Sequence, residues 1–282
     1  MKNSHRTQKI AFFFLLVATL LIVVPVGIIV VIIIQKGLPA VNWQFLSDIP
    51  RQGMRAGGIF PAIIGTMYLV AGAIIFALPI GLLAAIYLSE YSKDNLLNRV
   101  IKLAIVNLAG VPSVVYGLFG LALFVIFFRF GASILSGALT LGIMILPIVI
   151  TTSREALESV PQSFREVSLS LGASKWQTIR HIVLPNAIPG ILTGTILGLG
   201  RAAGETAPIL FTVAAFYLPQ LPSSIFDQAM ALPYHLYVIS TQVPNVDEKI
   251  RYGTAFVLLA LVLFMNLVAI IIRTKFRNKK KW

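Results

Sequence analysis

No cysteine occurs in the 282 residues of this chain. Disulfides, thiol nucleophiles and cysteine-ligated metals are therefore excluded, and the redox state of its compartment stays open. Histidine appears three times, at His5, His181 and His235, without a His-Glu-x-x-His or similar spacing, so the sequence offers no metal motif. No G-x-x-x-x-G-K-[ST] phosphate loop is present, and any ATP chemistry must belong to another polypeptide. Charge is scarce as well. Asp, Glu, Lys and Arg together make up 12% of the chain, and internal repeats and low-complexity tracts are absent.

Hydrocarbon fills the space that charge leaves. Hydrophobic residues make up 57% of the sequence and the mean hydropathy is +0.89, outside the range of soluble globular domains. Six apolar runs are long enough to cross a bilayer: Ile10 to Ile34, Pro61 to Leu88, Leu103 to Phe128, Ser133 to Ile150, Ala187 to about Ala215, and Gly253 to Ile272. Backbone amides in hydrocarbon must be satisfied within their own segment, and these runs are too long and continuous for barrel strands. The expected fold is an all-α integral membrane protein with six transmembrane helices in one membrane domain, residues 1–282. Ile10 to Ile34 is about twice the length of a signal-peptide core and has no small-x-small site before Gln35, so it reads as a retained first helix.

Orientation follows from the basic residues, which gather on the cytoplasmic side of short loops. With the N-terminus inside, that side holds Lys2, Arg6 and Lys9; Lys93, Arg99 and Lys102; Arg154, Arg165, Lys175 and Arg180; and the tail from Arg273 to Lys281. The opposite side holds only Lys36, Arg51, Arg55, Arg129, Lys249 and Arg251. Both termini are then cytoplasmic, as an even number of spans requires. The net charge of +13 does not imply nucleic acid, because the excess sits at membrane edges where anionic membrane lipid attracts it. The basic tail reads as a topological anchor.

Between the fourth and fifth runs lies a polar stretch, SFREVSLSLGASKWQTIRHIVLP, from Ser163 to Pro185. Pro161 breaks the preceding helix, and Ser163 with Glu166 fits a capping box that opens a new one. Phe164, Val167 and Leu171 fall on one face of it, Glu166 and Ser170 on the other. Gly172 ends that helix. Ser174 and Gln177 form a second capping box, opening a helix through Trp176, Ile179, Ile182 and Val183 that Pro185 closes. Physics alone leaves two readings: a hairpin lying on the headgroups, or a handle for a partner.

The spacing Glu166-Val167-Ser168, three residues, Gly172, nine residues, Ile182-Val183-Leu184-Pro185 resembles the EAA motif of ABC importer permeases. The chain departs from that pattern at Val167 and Ser168, where alanines are usual. The resemblance implies a type I ABC importer permease fold, with a permease core at 57–275, a cytoplasmic coupling segment at 153–186 and an extracytoplasmic segment at 216–248. It also implies that Ser163 to Gly172 is the helix that docks on a separate ATPase. Glu166 and Gly172 carry the coupling in that reading, with Phe164 and Ala173 in support.

The fifth run contains GTILGLGRAAGETAPIL, which places Arg201 and Glu205 one helical turn apart in apolar surroundings. An ionised residue near the bilayer centre costs about 2.5 to 3.5 kcal/mol on insertion scales. Two readings stay open at this point. The pair can neutralise itself as an internal salt bridge, or the guanidinium fork can hold a tetrahedral oxyanion while Glu205 orients it. A carboxylate can also accept the O–H of hydrogen phosphate, which sulfate lacks. Gly194 with Gly198, and Gly200 with Gly204, are small-x-x-x-small pairs that let helices approach closely. Pro112 and Pro208 are expected to kink their helices or to free a carbonyl for other use.

GLGRAAGETAPIL and the stretch before it, REALESVPQSFREVSLSLGASKWQTIRHIVLPNAIPGILTG, are similar to the PstA-type permeases of phosphate importers. The similarity runs from about Gly57 to the C-terminus and includes DQAMALPYHLYVISTQ. It implies passage of inorganic phosphate past Arg201 and Glu205, with Thr206 a weaker candidate, in a bacterial cell membrane and without a cofactor. The implied partners are a PstC-type permease, a pair of PstB-type ATPase subunits and a PstS-type phosphate-binding protein. The segment from Phe216 to Glu248 is then either a landing surface for that binding protein or a helix covering the pore, with Phe226, Tyr234 and Tyr237 at the interface. Rival readings are a permease for molybdate or sulfate and a secondary transporter or channel. A membrane enzyme would need a buried nucleophile with a base, which the sequence does not show.

Overall fold

The computed structural model describes residues 2–93 and 95–278. Lys279, Lys280 and Lys281 of the expected basic anchor lie outside the described residues. The apolar runs form helices, the arrangement that bonds every peptide group without water. In chain order these are α1 (Lys2–Gly37), α2 (Trp43–Ser47), α3 (Phe60–Ile86), α4 (Leu96–Ala109), α5 (Ser113–Gly120), α6 (Ile134–Glu158), α7 (Gln162–Ser170), α8 (Lys175–Thr178), α9 (Leu184–Gly204), α10 (Ala207–Thr212), α11 (Leu232–Thr241) and α12 (Glu248–Asn278). A two-residue antiparallel ribbon, β1 (Pro50–Arg51) with β2 (Ala56–Gly57), is a small addition to the expected all-α architecture.

Five helices are long and apolar enough to span a membrane, and a sixth span exists if α4 and the α5 segment count as one. That pair is bent by 102°, so the run from Leu103 to Phe128 is not the straight span expected. The break falls at Gly110 to Pro112. Pro112 has an extended backbone (ψ 141) and no N–H to continue the ladder, which accounts for the abrupt turn. The fourth span runs past the expected Ile150 to Glu158.

α3, α6 and α9 pack together at the centre, with Leu69, Leu141, Met144 and Ile145 fully buried among them. α6 packs on α9 through glycine. A Cβ on Gly194 would run into the Thr152 hydroxyl, and one on Gly190 would run into Ala156. Gly198 is in ordinary contact with Ile145, whereas Gly204 has nothing within 4 Å. Of the four glycines in the two expected pairs, only Gly194 therefore sits at a close approach, with Gly198 and Gly200 in ordinary contact.

α1 stands at the edge of the bundle with its apolar side chains exposed. Its last turn touches the first turn of α12, where Lys36 pairs with Glu248 at 3.5 Å. From this contact α1 runs back to Lys2 and α12 runs on to Asn278.

The segment after α10 divides into two parts. Residues 216–228 are largely exposed, and their backbone carbonyls at Ile225 and Asp227 accept from the N–H groups of Leu135 and Ile134, satisfying the start of α6. Residues 229–235 are buried, and the Leu232 N–H donates to Thr66 Oγ1 at 2.8 Å. Gly65 permits this approach, since a Cβ there would collide with the Met230 carbonyl. α11 thus plugs the bundle, and Tyr234, expected at an interface, is buried with its ring stacked on Tyr237 at 6.3 Å.

Candidate functional site

α9 ends at Gly204, about eleven residues short of the expected end of the fifth span. Glu205 is extended (φ −77, ψ 138) and Thr206 precedes the short helix α10, so Pro208 lies in a separate helix rather than at a kink. A broken span exposes backbone groups that a continuous helix would consume, a common construction around substrate in transporters. Arg201 sits in the last turn of α9. Its Nε is 3.5 Å from Glu205 Oε1, with the Arg201 side chain about a third exposed and that of Glu205 about a fifth. This is a long ion pair, without a close fork-to-carboxylate hydrogen bond.

Two further polar side chains stand near the break that follows Arg201, both missed in the sequence. In α5 the Tyr116 hydroxyl is carried next to Gly117, where a Cβ would meet the Ala207 carbonyl of α10 at 3.0 Å. That hydroxyl donates to the Leu108 carbonyl at 2.7 Å, across the 102° bend. From α12, Asn266 lies against the turn that carries Arg201, since a Cβ on Gly200 would be 3.4 Å from its Nδ2. Its Oδ1 is buried without a hydrogen-bond partner. Asn266 is an amide within a strongly apolar run, which was a usable signal. Tyr116 gave none, because its bond to the Leu108 carbonyl forms only across the bend.

On the other side Glu205 faces a cavity of about 10 Å³ shared with Thr66, Leu141, Ile209, Ala231 and Pro233. Such a space holds about one water and no tetrahedral oxyanion. The α11 plug closes the site from that face. Thr206 is half-buried, and its carbonyl accepts from the Leu210 N–H.

The polar stretch forms the expected helix pair, with two changes. The Ser163 capping box does not form: α7 begins at Gln162 directly after Pro161, which leaves Ser163 inside the first turn. Nor does Pro185 close the second helix. A π-helical stretch, Ile179–Val183, widens the ladder ahead of the proline ring and the chain continues into α9, with Asn186 Nδ2 donating to the Ile182 carbonyl. The Ser174 capping box does form, with Ser174 accepting from the Gln177 N–H and Gln177 from the Ser174 N–H. Gly172 takes φ +82, a left-handed conformation that explains glycine at the hinge.

Glu166 is exposed, while Phe164 packs against a second apolar cluster that contains Ala85, Leu157 and Ile179. Val167 and Leu171, expected on the same face as Phe164, are both exposed. Ala173 is half-buried and its N–H donates to the Ser168 carbonyl. Ser168 Oγ lies 2.9 Å from Thr178 Oγ1, which ties α7 to α8. Phe164, Glu166, Gly172 and Ala173 are thus gathered about one hinge, at the opposite end of α9 from Arg201.

Arg165 anchors this hinge. It meets Glu90 through Nε and Nη2, the latter 2.7 Å from Oε1, and donates to the Val160 and Leu157 carbonyls at 2.7 and 2.9 Å. One side chain therefore binds α7 to the π-helical turn Tyr87–Tyr91 that continues α3, and to carbonyls at and just past the end of α6. Sequence reading placed Arg165 only as a topological charge, because its partner is 75 residues away.

The family model for binding-protein-dependent transport system inner membrane components matches residues 77–281. The chain belongs to this family. It is 34% identical over 251 residues to a probable ABC transporter permease protein, YqgI, of Bacillus subtilis, covering 84% of this chain and 85% of the relative. To the phosphate transport system permease protein PstA 1 of Mycobacterium tuberculosis it is 38% identical over 219 residues, covering 77% of this permease and 71% of the relative. A solved bacterial ABC transporter that imports alginate shares the permease fold, with a TM-score of 0.63 at 13% identity over 96% of both chains.

Proposed function

We propose that this permease is the PstA-type subunit of an ATP-driven importer that carries inorganic phosphate across a bacterial inner membrane. The observation that carries the reading is Arg201, an intramembrane guanidinium held by Glu205 at 3.5 Å where α9 breaks. A pair this loose leaves Arg201 donors for an oxyanion and keeps Glu205 able to accept the proton of hydrogen phosphate. The names of the phosphate-transport relatives support the same substrate.

The α7–α8 hinge docks on a PstB-type ATPase dimer, with Glu166 and the exposed Val167 and Leu171 offered to its groove. A PstC-type permease completes the pathway. A PstS-type binding protein delivers phosphate to the exposed rim at residues 216–228. Closure of the ATPase dimer moves the hinge, and the spans rock so that the Arg201 site faces alternately out and in.

Uptake of labelled phosphate by cells or proteoliposomes holding the complete transporter tests this. Arg201→Ala abolishes uptake while assembly with the ATPase persists, and Glu205→Gln lowers the preference for phosphate over sulfate. Normal uptake by Arg201→Ala sinks the site assignment.

A further inference from the structure

α4 is an amphipathic helix whose long apolar residues Leu96, Leu97, Val100, Leu103 and Val106 are all exposed. At 102° to the segment after Pro112, it lies nearly flat at the bilayer surface when that segment follows the membrane normal. Between α4 and the end of α6 is a cavity of about 330 Å³. Arg99, Lys102 and Arg154 line it together with an apolar floor that includes Leu103, Val106 and Ile150. No acidic residue is among the described lining residues. Arg154 Nε is closed off from solvent and makes no hydrogen bond; Glu158 Oε1 is 3.6 Å away on a half-exposed side chain.

We propose that this cavity binds one anionic phospholipid, with its phosphate against Arg99, Lys102 and Arg154 and its acyl chains on Leu103, Val106 and Ile150. Charge complementarity selects the headgroup sign. The apolar floor selects an amphiphile over a free anion, which would gain nothing from it. The cavity also lies on the side where the basic loops gather, the side that faces anionic lipid. Occupancy wedges α4 against α6 and so steadies the bend, which the Tyr116 hydroxyl closes by donating to the Leu108 carbonyl. The lipid thereby supports the geometry near the candidate translocation site, and its binding does not depend on what that site carries.

The test uses the complete transporter in detergent, stripped of lipid and titrated with dioleoylphosphatidylglycerol or dioleoylphosphatidylcholine, with bound lipid counted by native mass spectrometry. Wild type retains one phosphatidylglycerol in preference to phosphatidylcholine, and millimolar inorganic phosphate does not displace it. The triple variant Arg99→Gln, Lys102→Gln, Arg154→Gln loses about tenfold or more of this affinity. The control Lys275→Gln, Arg277→Gln keeps it. Equal retention of the two lipids, unchanged binding by the triple variant, or displacement by inorganic phosphate overturns the proposal. Should the triple variant fail to assemble, photo-crosslinkable phosphatidylglycerol on the wild-type transporter decides: label on α4 and α6 near Val106 and Ile150 supports the site, and label confined to other helices overturns it.

Discussion

The Arg165 guanidinium holds Glu90 through two nitrogens, across a contact whose side chains are about nine-tenths buried on both sides. The side-chain hydrogen bonds of this arginine lead out of α7: to Glu90 in the turn after α3, and to the Leu157 and Val160 carbonyls at and just past the end of α6. A force applied to the exposed face of α7 therefore reaches two central helices through one side chain.

Removing either partner leaves a buried charge without its counterion, at a cost of about 3 to 5 kcal/mol. Glu90→Gln and Arg165→Ala are each expected to lower the thermal unfolding midpoint and to leave ATP hydrolysis running with little uptake. Arg165→Lys does not restore coupling, because a single ammonium cannot reach the carboxylate and two carbonyls in the same plane. Uptake per ATP hydrolysed, measured in proteoliposomes, checks this.

The α6–α9 contact predicts a contrast between two glycines of one helix. Gly194→Val forces side-chain atoms into Thr152 and is expected to cost about 1 to 3 kcal/mol. Gly204→Ala meets open space and leaves stability unchanged within about 0.5 kcal/mol. Thermal melts of the two variants in the same detergent measure the difference.

A second contrast separates the two serines that share one sequence signature. Ser174→Ala removes a formed capping box and weakens α8 by about 1 kcal/mol, visible as faster amide exchange at Gln177 and Thr178. Ser163→Ala changes exchange in α7 little, since Ser163 caps nothing.

His235 in the α11 plug supplies a pH dependence. Burial lowers its pKa to about 4 from the ordinary 6.5. The folded chain therefore keeps it neutral while the unfolded chain takes up a proton, so stability present above pH 6.5 is lost as pH falls toward 4, at about 1.4 kcal/mol per unit. Melting midpoints of wild type and His235→Gln, recorded from pH 7 to pH 5, are expected to converge as the wild type loses this contribution. Parallel curves disprove it.

The spans, the Gly172 hinge and the Ser174 cap were legible because each depends on neighbours within a few residues. Hydrophobic runs must be helical in lipid, a glycine at φ +82 follows from having no Cβ, and a capping box closes over four positions. Arg201 and Glu205 were legible for a similar reason, as charges set in hydrocarbon.

Sequence alone determined that this chain is a helical membrane protein carrying a hinged polar helix pair and an ion pair one span later. Only the tertiary structure decided that Arg165 clasps Glu90, that a span turns by 102° at Pro112 and that Gly117 beyond it meets Ala207 just past Glu205, and that α11 seals the bundle over Glu205. Local rules act through backbone sterics and hydrogen bonds between near residues. Those three relationships join groups far apart in the chain, and which groups meet depends on how whole helices pack.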